Sequence, residues 1–112
     1  MPRIAEVALF TADVARLTDF YERLLGRPAD SRSDAHASFE LGGTTLFIHV
    51  SGNGVAGAPD VDHVAFALDQ DSAAARAREL GVDVEGPRDF YWGRSAYLLD
   101  PDGRAVELQP ER

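Results

Sequence analysis

The stretch IAEVALFTADVARLTDFYERLLG, residues 4–26, decides the fold. Its first third alternates: Ala5, Val7 and Leu9 point one way, and Ile4, Glu6, Ala8 and Phe10 the other, the period-two signature of a strand. Thr11 and Asp13 then offer N-caps, and Val14, Leu17, Tyr21 and Leu24 recur at helical spacing. Gly26 suits the position just past a helix, and Pro28 keeps the helix from resuming. A strand thus feeds directly into a helix. Beyond it, Asp30–Asp34 reads as a weak strand or loop, Ala37–Leu41 as a strand, Gly42-Gly43 as a tight turn and Thr44–Val50 as another strand. The segment SGNGVAGAP, residues 51–59, is the one linker-like stretch.

After the linker the pattern starts again. Asp62–Leu68 reads as a strand, Asp71 or Ser72 caps an Ala-rich helix ending at Leu80-Gly81, and Val82–Glu85 is a short strand. Ser95–Leu99 and Arg104–Gln109 are strands joined by the turn Asp100-Pro101-Asp102-Gly103. Both halves read strand, helix, three strands, and the register matches: Glu6 precedes His63 by 57 residues, and Gly43 precedes Gly103 by 60. This predicts an α+β fold of two βαβββ modules in a single domain over residues 1–112: module one 1–50, linker 51–59, module two 60–112. The single helix of each module covers one sheet face; the other face must be covered or used.

The chain has 112 residues, room for one core and not two. A hydrophobic fraction of 45% and a charged fraction of 27% are globular values. The net charge of −8, with arginine for every base, argues against nucleic acid and against an anionic membrane surface. There is no cysteine, which excludes disulfides and thiolate chemistry. MPRIAEVALF runs straight into a strand pattern with no long apolar region, so a secretory signal is not expected and the cytoplasm is the expected location.

The two-fold βαβββ pattern resembles the vicinal oxygen chelate superfamily, which includes glyoxalase I, bleomycin-binding proteins and extradiol dioxygenases. The resemblance spans the whole chain. It rests on residues 4–26, on VDHVAFAL at 61–68 and on WGRSAYLLDPDGRAVELQP at 92–110. It implies a U-shaped mixed eight-stranded sheet whose concave face holds a divalent metal and a small molecule. Carried over residue by residue, Glu6 matches the first-strand ligand, His63 the fifth and Glu107 the eighth. The fourth-strand position falls on Phe47, which cannot bind metal; His49 lies one pleat further along the same face.

Strand phase agrees with such a face. Glu6, His63, Glu107 and Phe47 each oppose an aliphatic or aromatic face on their own strand. Each also has a plainer reading. Glu107 suits a solvent-facing strand position, His63 a half-buried histidine with its hydrogen bonds met, His49 the surface or pocket edge, and His36, beginning the third strand, the surface. Glu6 serves equally as a general base. One imidazole and two carboxylates suit Mn²⁺, Fe²⁺, Co²⁺, Ni²⁺ or Zn²⁺. An oxygen-activating iron site has two histidines and one carboxylate, so this inverted set counts against a dioxygenase, as Phe47 counts against a four-ligand glyoxalase I.

Phe10, Phe39, Phe47, Tyr91, Trp92 and Tyr97 form a second constellation suited to lining a cleft, with His49, Arg88 and Arg94 as polar partners. Phe20, Tyr21 and Phe66 read as core. The functional expectation is a metal-dependent lyase, isomerase or transferase, glyoxalase-like, with Glu6 and Glu107 in catalysis, acting on a small molecule with vicinal oxygens. The alternative is a metal-free protein that binds a bleomycin-like drug, which needs no cofactor. A homodimer is expected in either case, because an open sheet of short strands leaves edges and an apolar rim.

Overall fold

The computed structural model describes residues 1–52 and 54–111; Asn53 of the expected linker and Arg112 lie outside the described residues. Alternation over Arg3–Thr11 becomes strand β1, and the chain turns into helix α1, Val14–Leu25. Asp13 is the N-cap, its carboxylate accepting the Arg16 N–H at 3.0 Å. Gly26 closes the helix in the left-handed region, φ 70°, and its N–H donates to Glu22 O at 3.0 Å. Strands β2 (Ser31–Arg32), β3 (His36–Leu41) and β4 (Thr44–Val50) complete the first unit. The second consists of β5 (His63–Leu68), α2 (Gln70–Glu79), β6 (Glu85–Phe90), β7 (Gly93–Leu99) and β8 (Ala105–Pro110).

These strands form one mixed eight-stranded sheet in the order β2-β3-β4-β1-β5-β8-β7-β6. The fold is therefore α+β, with β1 and β5 antiparallel at its centre and each flanked by a parallel neighbour, β4 and β8. The register carries the internal repeat into space. Ala8 pairs with Phe47 across β1 and β4, as Ala65 pairs with Glu107 across β5 and β8.

Helix α1 covers β3 and β4 with a core of Val14, Ala37, Phe39 and Ile48, backed by Leu17, Tyr21, Leu46 and Val50. Helix α2 packs on β6, β7 and β8. Gln70, buried in its first turn, fixes it there: its side-chain amide donates to Arg94 O and Leu108 O, both at 2.8 Å. With both helices on one face, the other face of the sheet is left to form a cleft.

Several local expectations need correction. Plain alternation puts Ile4 on the face of Glu6, but a register shift between Ile4 and Glu6 pairs Ile4 with Phe66, on the helix side. Helix α2 starts earlier than Asp71 or Ser72 suggests: Asp69 is the cap and accepts the Ser72 N–H at 3.2 Å. The sixth strand is Glu85–Phe90 and not Val82–Glu85. It is an edge strand, where Pro87 is tolerated because one side of the ladder has no partner. Phe39 is fully buried beneath α1 and does not line the cleft. Phe20 and Leu24, expected on the core stripe, lie 56% and 64% exposed on the outer side of α1.

Candidate functional site

Three central strands place the candidate ligands on the cleft face: β1 supplies Glu6, β5 His63 and β8 Glu107, with Gln109 beside it. One ligand atom from each lies within 4.8 Å of the others. Glu107 is 3% exposed and His63 9%, so these are interior groups that need partners. His63 Nε2 lies 3.1 Å from Glu107 Oε1, and His63 Nδ1 lies 2.8 Å from Val61 O. A carbonyl only accepts, so Nδ1 carries a proton and Nε2 is the nitrogen that faces the carboxylates. Ser95 Oγ donates to Glu107 Oε2 at 2.8 Å, and Gln109 adds a longer contact at 3.4 Å.

This arrangement acts on the proton at His63. Burial pulls its pKa down, but the bond to Glu107, the bond to Val61 and the charges of Glu107 and Glu6 outweigh that, and the net shift is upward. A raised folded-state pKa means that the group stabilises the metal-free protein fully below the unfolded value, about 6.5, and that this contribution is lost as pH rises through the folded value. A cation held by Nε2 would have to displace that proton, so metal loading would reverse the trend. Thermal midpoints from pH 5 to 9 should therefore favour acid more in chelated wild type than in His63→Gln. Saturating metal should make the wild type favour alkali. Equal pH profiles for the chelated wild type and His63→Gln would contradict this account.

The triad sits in a cavity of about 650 Å³. Along one wall, rings run outward from His63 to Phe10, 5.9 Å between centroids, to His49, 5.5 Å further, and on to Phe47 and His36. On the other side Tyr97 meets His63 edge-on at 6.0 Å and Trp92 continues the wall, with Phe90 packed against both rings. Burial, and then the charges of Glu107 and Glu6, hold the Tyr97 hydroxyl well above the usual tyrosine range, so it stays a proton donor. Tyr91 and Trp92 occupy the turn between β6 and β7 and line the mouth.

Thus Glu6, His63, Glu107, Phe10, Phe47, His49, Tyr91, Trp92, Arg94 and Tyr97 all border one cleft. Arg94 reaches it with its charge already engaged by Asp71 at 2.9 Å. Arg88 stays outside the cleft lining; its guanidinium lies over the Phe90 ring and donates to Ala56 O. Phe47 holds the corner that mirrors Glu107, as the repeat spacing anticipates. Ser95 and His36 also line the cleft: Ser95 is not among the expected site residues, and His36 is a correction to the expected surface position. Ser95 was legible in principle, since it lies two residues before Tyr97, the residue paired with Glu107. His36 lines the cleft because it pairs with His49 across β3 and β4.

No curated protein sequence matches the chain significantly. Among solved structures, a Legionella pneumophila protein described as an NAD-dependent benzaldehyde dehydrogenase is similar over 96% of this chain and 98% of its own, with a TM-score of 0.76 and 16% identity. A Streptomyces coelicolor methylmalonyl-CoA epimerase variant in complex with 2-nitronate-propionyl-CoA superposes with a TM-score of 0.72 at 22% identity, over 97% and 94% of the two chains. An extradiol ring-cleaving dioxygenase from B. fuscum matches 97% of this chain with 32% of its own, with a TM-score of 0.68 and 23% identity. At these identities the likeness is one of fold. The sequence profile that matches residues 3–108 shows that the chain belongs to the Glyoxalase/Bleomycin resistance protein/Dioxygenase superfamily.

Proposed function

We propose that this protein is a divalent-metal-dependent lyase, isomerase or transferase that acts on a small molecule through adjacent oxygens. The observation that carries the reading is the convergence of Glu6, His63 and Glu107 within 4.8 Å from three different strands. The donor set fits a dication: two carboxylates balance its charge, and the Val61 carbonyl fixes the imidazole tautomer that leaves Nε2 as the ligand atom. When bound, such an ion supplies Lewis-acid stabilisation to substrate oxygens. The chain's own residues do the rest. Phe10 and Phe47 hold the apolar body of the substrate, and Tyr91 and Trp92 bound the mouth. Glu6, beside the open cleft, is placed to accept a substrate proton, and the Tyr97 hydroxyl to donate a hydrogen bond.

A specific observation favours a second reading. His63, Ser95 and Gln109 all hydrogen-bond Glu107 from within the chain, and Asp60 and Glu111 add acidic groups at the edge of the aromatic cleft. A metal-free site for a planar cationic drug has the same needs. Elemental analysis after chelator-free purification separates the two. About one equivalent of a divalent transition metal per chain supports the enzyme. Metal-free protein whose Trp92 emission is quenched saturably by a bleomycin-type drug supports the alternative.

We also infer a homodimer, which the exposed Phe20 and Leu24 on α1 favour. Light scattering at micromolar concentration should give twice the chain mass, and a monomer there would contradict it. Among the described residues no helix is long and apolar enough to cross a membrane; cytoplasmic residence is part of the proposal.

A further inference from the structure

We propose that Ser95 is a positioning residue that couples Glu107 to Trp92, so that occupancy at the buried carboxylate and at the mouth of the cleft are linked. The proposal rests on the reading of Glu6, His63 and Glu107 as the cation site.

Hydrogen-bond polarity carries the argument. An indole N–H only donates, and Trp92 Nε1 lies 3.1 Å from Ser95 Oγ, so that oxygen must accept. The serine hydroxyl has one proton; the Tyr97 hydroxyl also contacts it, but Glu107 Oε2, at 2.8 Å, is a carboxylate oxygen that only accepts, so the serine proton goes there. The chain therefore runs one way, from Trp92 through Ser95 to Glu107. Oε2 takes this support while Oε1 faces His63 at 3.1 Å. Ser95 is buried, so losing its hydroxyl removes from Glu107 Oε2 its shortest donor, one that bulk water cannot readily replace.

Trp92 has the freedom to respond. It lies in a turn, 41% exposed, and lines the cleft. Its indole stacks on Phe90 at 4.6 Å with planes 8° apart, which permits sliding; the bond to Ser95 sets where along that stack it rests. A cation that draws Glu107 toward itself shifts the acceptor of Ser95, and Ser95 carries the shift to the indole. By linkage, a ring that stacks at Trp92 alters cation affinity by the same factor. Trp92 is the chain's sole tryptophan, so its emission reports on the coupling directly.

The experiment has two arms. On the chelated protein, Glu107→Gln should shift Trp92 emission when Ser95 is present and leave it unchanged in the Ser95→Ala background. Equal shifts in both backgrounds, or no shift in either, overturn the coupling. In the second arm Zn²⁺ is titrated. Wild type should change emission up to one equivalent. Ser95→Ala should bind about 10–100-fold more weakly with flat emission, and Ser95→Thr should recover both. Full affinity in Ser95→Ala overturns the positioning role. If wild type takes up no Zn²⁺, the cation-site reading fails, and the chelated arm still decides the coupling. Should Ser95→Ala not fold, Trp92→Phe at the exposed turn replaces it. Calorimetry should then show Zn²⁺ binding weakened several-fold, and unchanged affinity overturns the proposal.

Discussion

Glu107→Gln is expected to strip the protein of bound metal, with an affinity loss larger than the roughly 10–100-fold that follows removal of a group supporting a ligand. The substitution isolates charge from shape. Glutamine fills the same volume between β5 and β7 and can still accept from Ser95, so the fold should survive. What disappears is one of the two negative charges that offset a dication, together with a good oxygen ligand. Glu6→Gln removes the other charge and should weaken binding too, though less, because Glu6 is half-buried and Glu107 is interior. His49→Ala is the control: its ring borders the cleft, but it is not part of the Glu6–His63–Glu107 cluster, and metal content should barely move. Elemental analysis and calorimetry on the four proteins decide the matter. Retention of metal by Glu107→Gln within twofold of wild type would place the ion elsewhere.

The site is readable to the extent that it follows strand alternation. Glu6, His63, Glu107 and Phe47 sit on strands whose other residues are mostly apolar, so one odd side chain on a face stands out. The repeat spacing then aligns Phe47 with Glu107, and the register repeats that match through Ala8 and Ala65. Alternation fails where the backbone departs from it. The register shift after Ile4 moves that residue to the other face, and no residue in the stretch announces it. The sixth strand is displaced because Gly86 and Pro87 read locally as breakers, while an edge position relieves the constraint. The caps show the same limit. Asp69, Asp71 and Ser72 are all acceptable N-caps by type, and only contact with β7 and β8 through Gln70 selects the first. Ser95 is legible only through the β7–β8 pairing that sets Tyr97 opposite Glu107, since a serine in a strand carries no signal by type. A buried serine matters here because it joins Trp92, close in sequence, to Glu107, twelve residues on, brought together by the β7–β8 pairing.

Two phenylalanines one strand apart should give opposite results. Phe39 on β3 points under α1 and is fully buried among Val14, Ala37 and Ile48. Phe39→Ala leaves a cavity in the buried core of the first module and should cost about 3–5 kcal/mol. At roughly 4–8 °C per kcal/mol for a domain near this size, the thermal midpoint falls by more than about 12 °C. That is a large share of the stability of a small domain, yet the cleft face carries no atom of the deleted ring. Phe47, on β4, points the other way, into the cleft, at the corner that mirrors Glu107. Phe47→Glu should hardly disturb the core beneath α1 and should change the chemistry instead. In the chelated protein a third carboxylate near Glu6 and Glu107 adds like-charge repulsion and lowers the midpoint. With Zn²⁺ the same group supplies a fourth ligand, so the midpoint should recover beyond that of metal-loaded wild type and affinity should rise by tenfold or more. Midpoints with and without metal, set beside those of Phe39→Ala, separate the two roles. If Phe47→Glu loses stability whether or not Zn²⁺ is present, Phe47 is core, and the symmetry between the two halves of the cleft does not extend to its chemistry.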